Sequence, residues 1–247
     1  MLLSELFEFL RHGELRHMYV GGDETDGIKP EDFPAIVSHI NMGLTALHRR
    51  FPLKFDEVII QQYDQIQRYY LRYKYAQTNV ASTEPIKYID DSIYKPFKEN
   101  VLKIESVYSE YGEEYPLNDR NQTYSVYTPS HDSIDIPFNE KENAVSVIYR
   151  ANHDKIIVGE VFEPREIEVD IPTSLEEALL FFIANRVLNA MGAGNNIQEA
   201  NHFLSKYELT CSQIEMHGLI GSTSTTNNRL ENLGWVWRFQ QYVHLLV

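Results

Sequence analysis

His12, Glu14 and His17 stand close together, and imidazole with carboxylate is a metal-ligating combination. The two histidines are five residues apart. A zinc-binding helix spaces them by four, which puts both rings on one face. The trio therefore reads as polar decoration of a helix end. Glu166, Glu168 and Asp170 are the residue type that glycoside hydrolysis uses in pairs, but that chemistry needs two carboxyls about 5–9 Å apart in a cleft. Alternating with Ile167, Val169 and Ile171, they read instead as the solvated face of a strand. No serine carries the flanking glycines of a nucleophile elbow. Gly21 and Gly22, and Gly192 and Gly194, form no phosphate-binding loop. Cys211 is the only cysteine, which excludes a disulfide framework and a cysteine metal cluster. The expectation is a chain with no catalytic, metal or cofactor-binding residues, no cofactor and no enzymatic activity.

Two other stretches suit binding. Arg68, Arg72 and Lys74 interleave with Tyr69, Tyr70, Tyr73 and Tyr75, a pattern used on single-stranded nucleic acid. It is one short stretch in a chain of 36 acidic and 22 basic residues, net charge −14. Phosphate-backbone affinity needs basic surface, so a strand facing an acidic neighbour is the better reading. The second stretch is the aromatic C-terminal segment: Leu233, Trp235, Val236, Trp237, Phe239 and Tyr242. It follows a Gly-, Ser-, Thr- and Asn-rich linker that runs to Asn228. It either folds back on its own domain or docks in a groove on another subunit, where buried aromatics dominate the energetics.

These residues need elements to hold them. The 247 residues can bury a sizeable core in one or two domains. The first ten residues lack a basic leader, and Glu5 and Glu8 interrupt their apolar run, so they suit a short amphipathic helix and not a secretory signal. No stretch reaches the ~20 apolar residues of a membrane span. Phe33, Ile36, Val37, Ile40, Leu44, Leu47 and Phe51 step by threes and fours, predicting a helix from Pro30 to Arg50 that Pro52 stops. Alternation then predicts strands at 69–75, 101–107, 124–128, 134–138, 145–149 and 167–171, with a turn at Pro129–Ser133. Short strands with no helix between them read as an antiparallel sandwich or small barrel. Thr173 with Glu176, or Ser174 with Glu177, fits a capping box. The run from Leu175 to Met191 is apolar nearly all round, which calls for burial on most sides. A second helix carries Ile197, Ala200, Phe203, Tyr207, Cys211 and Ile214 on one stripe, completing an αα-hairpin.

The expected fold is α+β: a helical frame with an inserted antiparallel β-sandwich or barrel and an extended C-terminal tail. Its parts are N-terminal helices (1–52), the β-domain (53–171), the αα-hairpin (172–217) and a linker with docking tail (218–247). Ile40, Leu44, Leu47, Leu179, Phe182, Ile183, Val187, Phe203 and Tyr207 are expected on the core or ring-forming helices. Two stretches carry a family resemblance. One is Ile40-Asn41-Met42-Gly43-Leu44-Thr45-Ala46-Leu47-His48-Arg49-Arg50-Phe51. The other runs from Ile171-Pro172-Thr173-Ser174-Leu175 to Ala184 and is followed by Asn201–Glu208. In order and spacing over most of residues 30–216, the chain resembles the head-to-tail adaptors of short-tailed bacteriophages, the tail tubular protein A group. The resemblance implies a structural virion protein, assembled in the host cytoplasm. It implies a homo-oligomeric ring, usually of twelve copies, beneath the portal protein. The β-domain would contact tail nozzle or fibre proteins, the C-terminal tail would reach the portal, and DNA would pass without specific binding. The alternative is a tail-associated carbohydrate- or receptor-binding β-sandwich.

Overall fold

The computed structural model describes residues 1–15, 30–138, 143–159, 161–191 and 194–220. The fold is α+β, with four α-helices and two antiparallel sheets among the described residues. The chain divides into two compact units: residues 1–43 with 160–247, and the inserted residues 44–159. The expected β-domain ran from 53 to 171. The inserted unit instead begins inside a helix and ends before the last alternating run.

The first unit is helical. Helix α1 (Leu3–His12) buries Leu3, Leu6, Phe7 and Leu10, and the Glu5 carboxylate accepts the Leu2 N–H. Helix α2 (Phe33–Arg50) follows a 3-10 turn at Pro30–Asp32, so the predicted first turn is wound tighter than an α-helix. Ile36, Val37 and Ile40 are buried along it, as are Leu44 and Leu47 beyond residue 43. Helix α3 (Thr173–Met191) and helix α4 (Gly194–His217) form the αα-hairpin. Leu179, Ile183 and Val187 on α3, and Phe203 and Tyr207 on α4, are buried. Half-buried Phe182 meets Tyr207 edge to face at 5.4 Å.

The run 166–171 is a correction. Val169 and Ile171 are buried and Glu166, Glu168 and Asp170 exposed, as the alternation requires. Yet no strand forms. The segment lies beside the N-terminus, with an isolated bridge from Leu2 to Glu168 and hydrogen bonds Leu3 N–H to Ile167 C=O and Val169 N–H to Met1 C=O. A three-residue partner supports single bridges and no ladder.

The inserted unit carries a five-stranded sheet in the order β3 (Ile89–Asp90), β1 (Phe55–Gln61), β8 (Ala144–Ala151), β4 (Val101–Ser109), β5 (Glu114–Tyr115). A three-stranded sheet has the order β2 (Arg68–Tyr70), β7 (Ser133–Asp135), β6 (Tyr127–Ser130). One core joins them: Val58, Ile60, Val107 and Val147 from the larger sheet meet Tyr69 and Ile134 from the smaller. This is a sandwich. Three predicted details change. The run 69–75 is a strand only to Tyr70, because Arg72 N–H turns back to Tyr70 C=O and Tyr73–Tyr75 wind into a 3-10 turn. The run 124–128 becomes a strand at 127–130 that includes Pro129, and the turn narrows to His131–Asp132, closed by the Ser130–Ser133 pair. Of the run 134–138 the strand keeps only Ile134 and Asp135, with Ile136 N–H still donating to Gln67 C=O at 2.9 Å.

Candidate functional site

The residues that suggested chemistry are dispersed. His12 Nε2 lies 3.1 Å from Glu8 Oε2 one turn back on α1, and both are exposed. Half-buried Glu14 is raised above the usual carboxylate range, chiefly by burial. His17 lies outside the described residues. Among the described residues no group of three or more His, Cys, Asp or Glu side chains is placed to hold a metal. Glu166, Glu168 and Asp170 point to solvent.

The basic–aromatic stretch is neutralised in place. Arg68 makes a two-pronged contact with Asp135 at 2.7 and 2.8 Å. Arg72 Nε donates to Asp132 at 3.0 Å, and Lys74 Nζ to Glu84 at 2.7 Å. Each cation has its own carboxylate, held by the neighbouring strand or loop, so the stripe offers little free positive charge for phosphates. Its tyrosines serve the core. Tyr69 is fully buried, and its hydroxyl accepts Tyr63 N–H. The Tyr88 hydroxyl accepts Tyr70 N–H at 2.8 Å and donates to Tyr70 C=O at 3.0 Å, closing the outer edge of β2.

One histidine pair stands out in the inserted unit. His48 on α2 is buried, its Nδ1 lies 3.2 Å from Ala151 C=O, and its ring centroid is 5.8 Å from that of His153. Burial, with the neighbouring His48 ring, pulls the His153 imidazole down to about 4. Asn152 Nδ2 donates to Thr45 Oγ1 at 3.1 Å beside it. Asp154, the nearest anion, is taken by Lys98 at 2.8 Å and Lys54 at 3.2 Å. The contacts fasten the chain after β8 to α2.

What remains is a contact surface on the hairpin. α3 is apolar nearly all round, and its own chain covers it nearly all round, so little apolar surface is left there. The uncovered apolar residues sit on α4. Leu209 is 59% and Met216 75% exposed. Each is two residues from a buried position, Tyr207 or Cys211 for Leu209 and Ile214 for Met216, about 200° around the helix at 100° per residue. They are seven residues apart and share the side of α4 that faces away from its own core. Ile197 and Leu204, also seven apart and exposed, flank that core. The side that carries Leu209 and Met216 also carries exposed Gln198, His202, Ser205 and Gln213, so the pair are two apolar points on a mostly polar face. The core or ring-forming residues expected from the sequence included Phe203 and Tyr207 on α4, which the structure buries in the chain's own core; Leu209 and Met216 were not among them.

The six aromatic and aliphatic residues of the C-terminal segment, Leu233 to Tyr242, lie outside the described residues. No described helix is long and apolar enough to cross a membrane. The chain matches no protein-family model and no curated protein.

Proposed function

We propose that this chain is a non-enzymatic structural protein of a short-tailed phage virion, an adaptor that assembles as a ring between portal and tail nozzle and continues the DNA conduit. The observation that carries the reading is the exposed pair Leu209 and Met216 on the outer side of α4, in a helical unit interrupted by a β-sandwich. A side-by-side ring needs a heterologous contact repeated around a closed circle. A helix with one face in its own core and an exposed leucine and methionine on the other offers anchor points for such a contact. The two stretches that resemble the adaptor family form the exit of α2 and the α3–α4 hairpin, which is where the ring contact would lie. The net charge of −14 suits a wall that phosphates slide past. The C-terminal aromatic residues serve as the portal anchor, the sandwich as the tail-facing part.

A second reading rests on Tyr94, Tyr111 and Tyr124, which are exposed on the inserted unit. Exposed aromatic rings suit sugar or receptor contacts, as in a tail-associated binding module. Mass photometry of the purified chain, alone and with its portal, separates the two. The adaptor reading expects multimers of the chain on the portal; a monomer that ignores the portal and binds glycans supports the second.

A further inference from the structure

The inserted unit holds a groove at the end of the larger sheet, of about 300 Å³, between β1, β3 and the turn that follows β3. Its wall is mostly apolar: Ile59, Pro96, Phe97 and the ring of Tyr149. Glu57, Asp56 and Asp90 stand around it. The turn at its rim is held by hydrogen bonds. Asp91 accepts Thr78 N–H at 2.9 Å, the Thr78 hydroxyl at 2.5 Å and Phe97 N–H at 3.0 Å. Lys95 N–H closes the turn on Ser92 C=O at 3.1 Å. This turn lifts Ile93 and Tyr94 almost wholly into water, 88% and 100% exposed. Large apolar side chains held in solvent at the lip of an apolar groove mark a place where another molecule covers them.

Charge decides the occupant. Asp91 is satisfied by its three hydrogen bonds. Asp56 carries the one cation in the groove, Lys95, at 2.9 Å. Glu57 accepts the Ser146 hydroxyl and Asp90 is exposed, and among the described residues neither is ion-paired with a cation. An apolar wall with two unneutralised carboxylates fits a side chain that is aliphatic along its stem and cationic at its tip. Arginine satisfies both, since its planar fork pairs with carboxylates and its stem packs on rings. We infer that this groove binds an arginine-bearing segment of a partner protein, with Ile93 and Tyr94 clamping the segment from the rim. Lys95 already occupies the Asp56 corner as an internal stand-in, so an arriving guanidinium competes with it there. The inference is independent of the adaptor reading, because it rests on the inserted unit alone.

The test titrates the full chain with acetyl-Arg-Arg-amide, following the backbone amide signals of Asp90, Ser92, Lys95 and Phe97 by NMR. Acetyl-Gln-Gln-amide is the uncharged control. Saturable, salt-sensitive shifts at these four residues with the arginine peptide alone are expected. The double variant E57Q/D90N is expected to weaken binding about tenfold, roughly threefold per exposed charge. The variant K95A, which empties the Asp56 corner, is expected to tighten it by a similar single step. All substitutions lie on the surface, and unchanged signals elsewhere verify the fold. Absent or unsaturable shifts at millimolar peptide overturn the inference. So do shifts that persist in E57Q/D90N, weaker binding by K95A, or the same residues shifting with protein concentration alone, which assigns the groove to a second copy.

Discussion

A Cβ on Gly43 would lie 2.6 Å from Leu179 Cδ1 and 3.0 Å from the Phe182 ring, so α2 and α3 reach their separation only because residue 43 has no side chain. Leu179 is fully buried and has no free direction to move. The helix pays a propensity cost of about 1 kcal/mol for glycine there, and the close approach offsets it.

Alanine at this position therefore acts opposite to its helix propensity. G43A is expected to lower stability by about 1–3 kcal/mol, the range for overpacking a filled core. Urea denaturation measures it. The combination with L179A should be less than additive, because the cavity at 179 accepts the new methyl.

Acid sensitivity follows from His153. Its folded value of about 4 lies below the 6.5 of an unfolded histidine. The native state therefore binds this proton less readily. Stability is intact above pH 6.5, falls as pH drops through the window from 6.5 to about 4, and is lost in full below it. At about 1.4 kcal/mol per pH unit the full shift would be about 3 kcal/mol, and solvent screening at this part-buried ring reduces the expected loss to about 1–2 kcal/mol. Denaturation midpoints across that window should show this slope in the parent and a flatter one in H153Q. Asp91, Asp132 and Asp154, all held below the usual carboxylate range, add losses at lower pH, so the histidine step precedes them.

The Tyr88 hydroxyl substitutes for the strand that β2 lacks on its outer edge. Removing it in Y88F leaves the N–H and C=O of Tyr70 without that partner. The expected loss is about 1–3 kcal/mol, read by chemical denaturation, with the fold unchanged because the stacking on Tyr75 at 4.6 Å does not use the hydroxyl.

The neutralised stripe predicts that the chain does not bind oligo-dT at physiological salt. The variant E84Q/D132N/D135N releases Lys74, Arg72 and Arg68 and should gain weak, salt-sensitive binding, measured by fluorescence anisotropy. Equal binding by parent and variant contradicts the pairing account.

How legible each element was depended on what competed with its period. α2 and α3 were clear, since their apolar steps end at Pro52 and begin after Pro172. β8 showed as alternation because its outward residues Ala144, Ser146 and Arg150 are small or polar, whereas β4 has irregularities after Val101 and Ile104 that bury Val101, Ile104 and Val107 at steps of three. β1 was missed: Val58 and Ile60 face the core, but Phe55 and Ile59 on the other face are apolar too, which hides a period of two. At 167–171 the period was right and the element wrong, because alternation reports a buried face and says nothing of a ladder partner. The pairing of Arg68, Arg72 and Lys74 was invisible for a similar reason. Asp135 and Asp132 lie more than fifty residues away, and only strand register brings them across. The groove beside Tyr94 had no sequence signal, since β1, β3 and the following turn each contribute a few ordinary residues.

Leu209 and Met216 make the adaptor reading specific at single residues. Negative-stain or cryo-electron microscopy of the chain mixed with its portal, run for the parent and for L209E/M216E, tests it most directly. The account predicts a closed ring of the parent, in the portal's twelvefold register, and a folded double variant that forms no ring. A parent chain that stays monomeric beside the portal, or a double variant that assembles as the parent does, would contradict it.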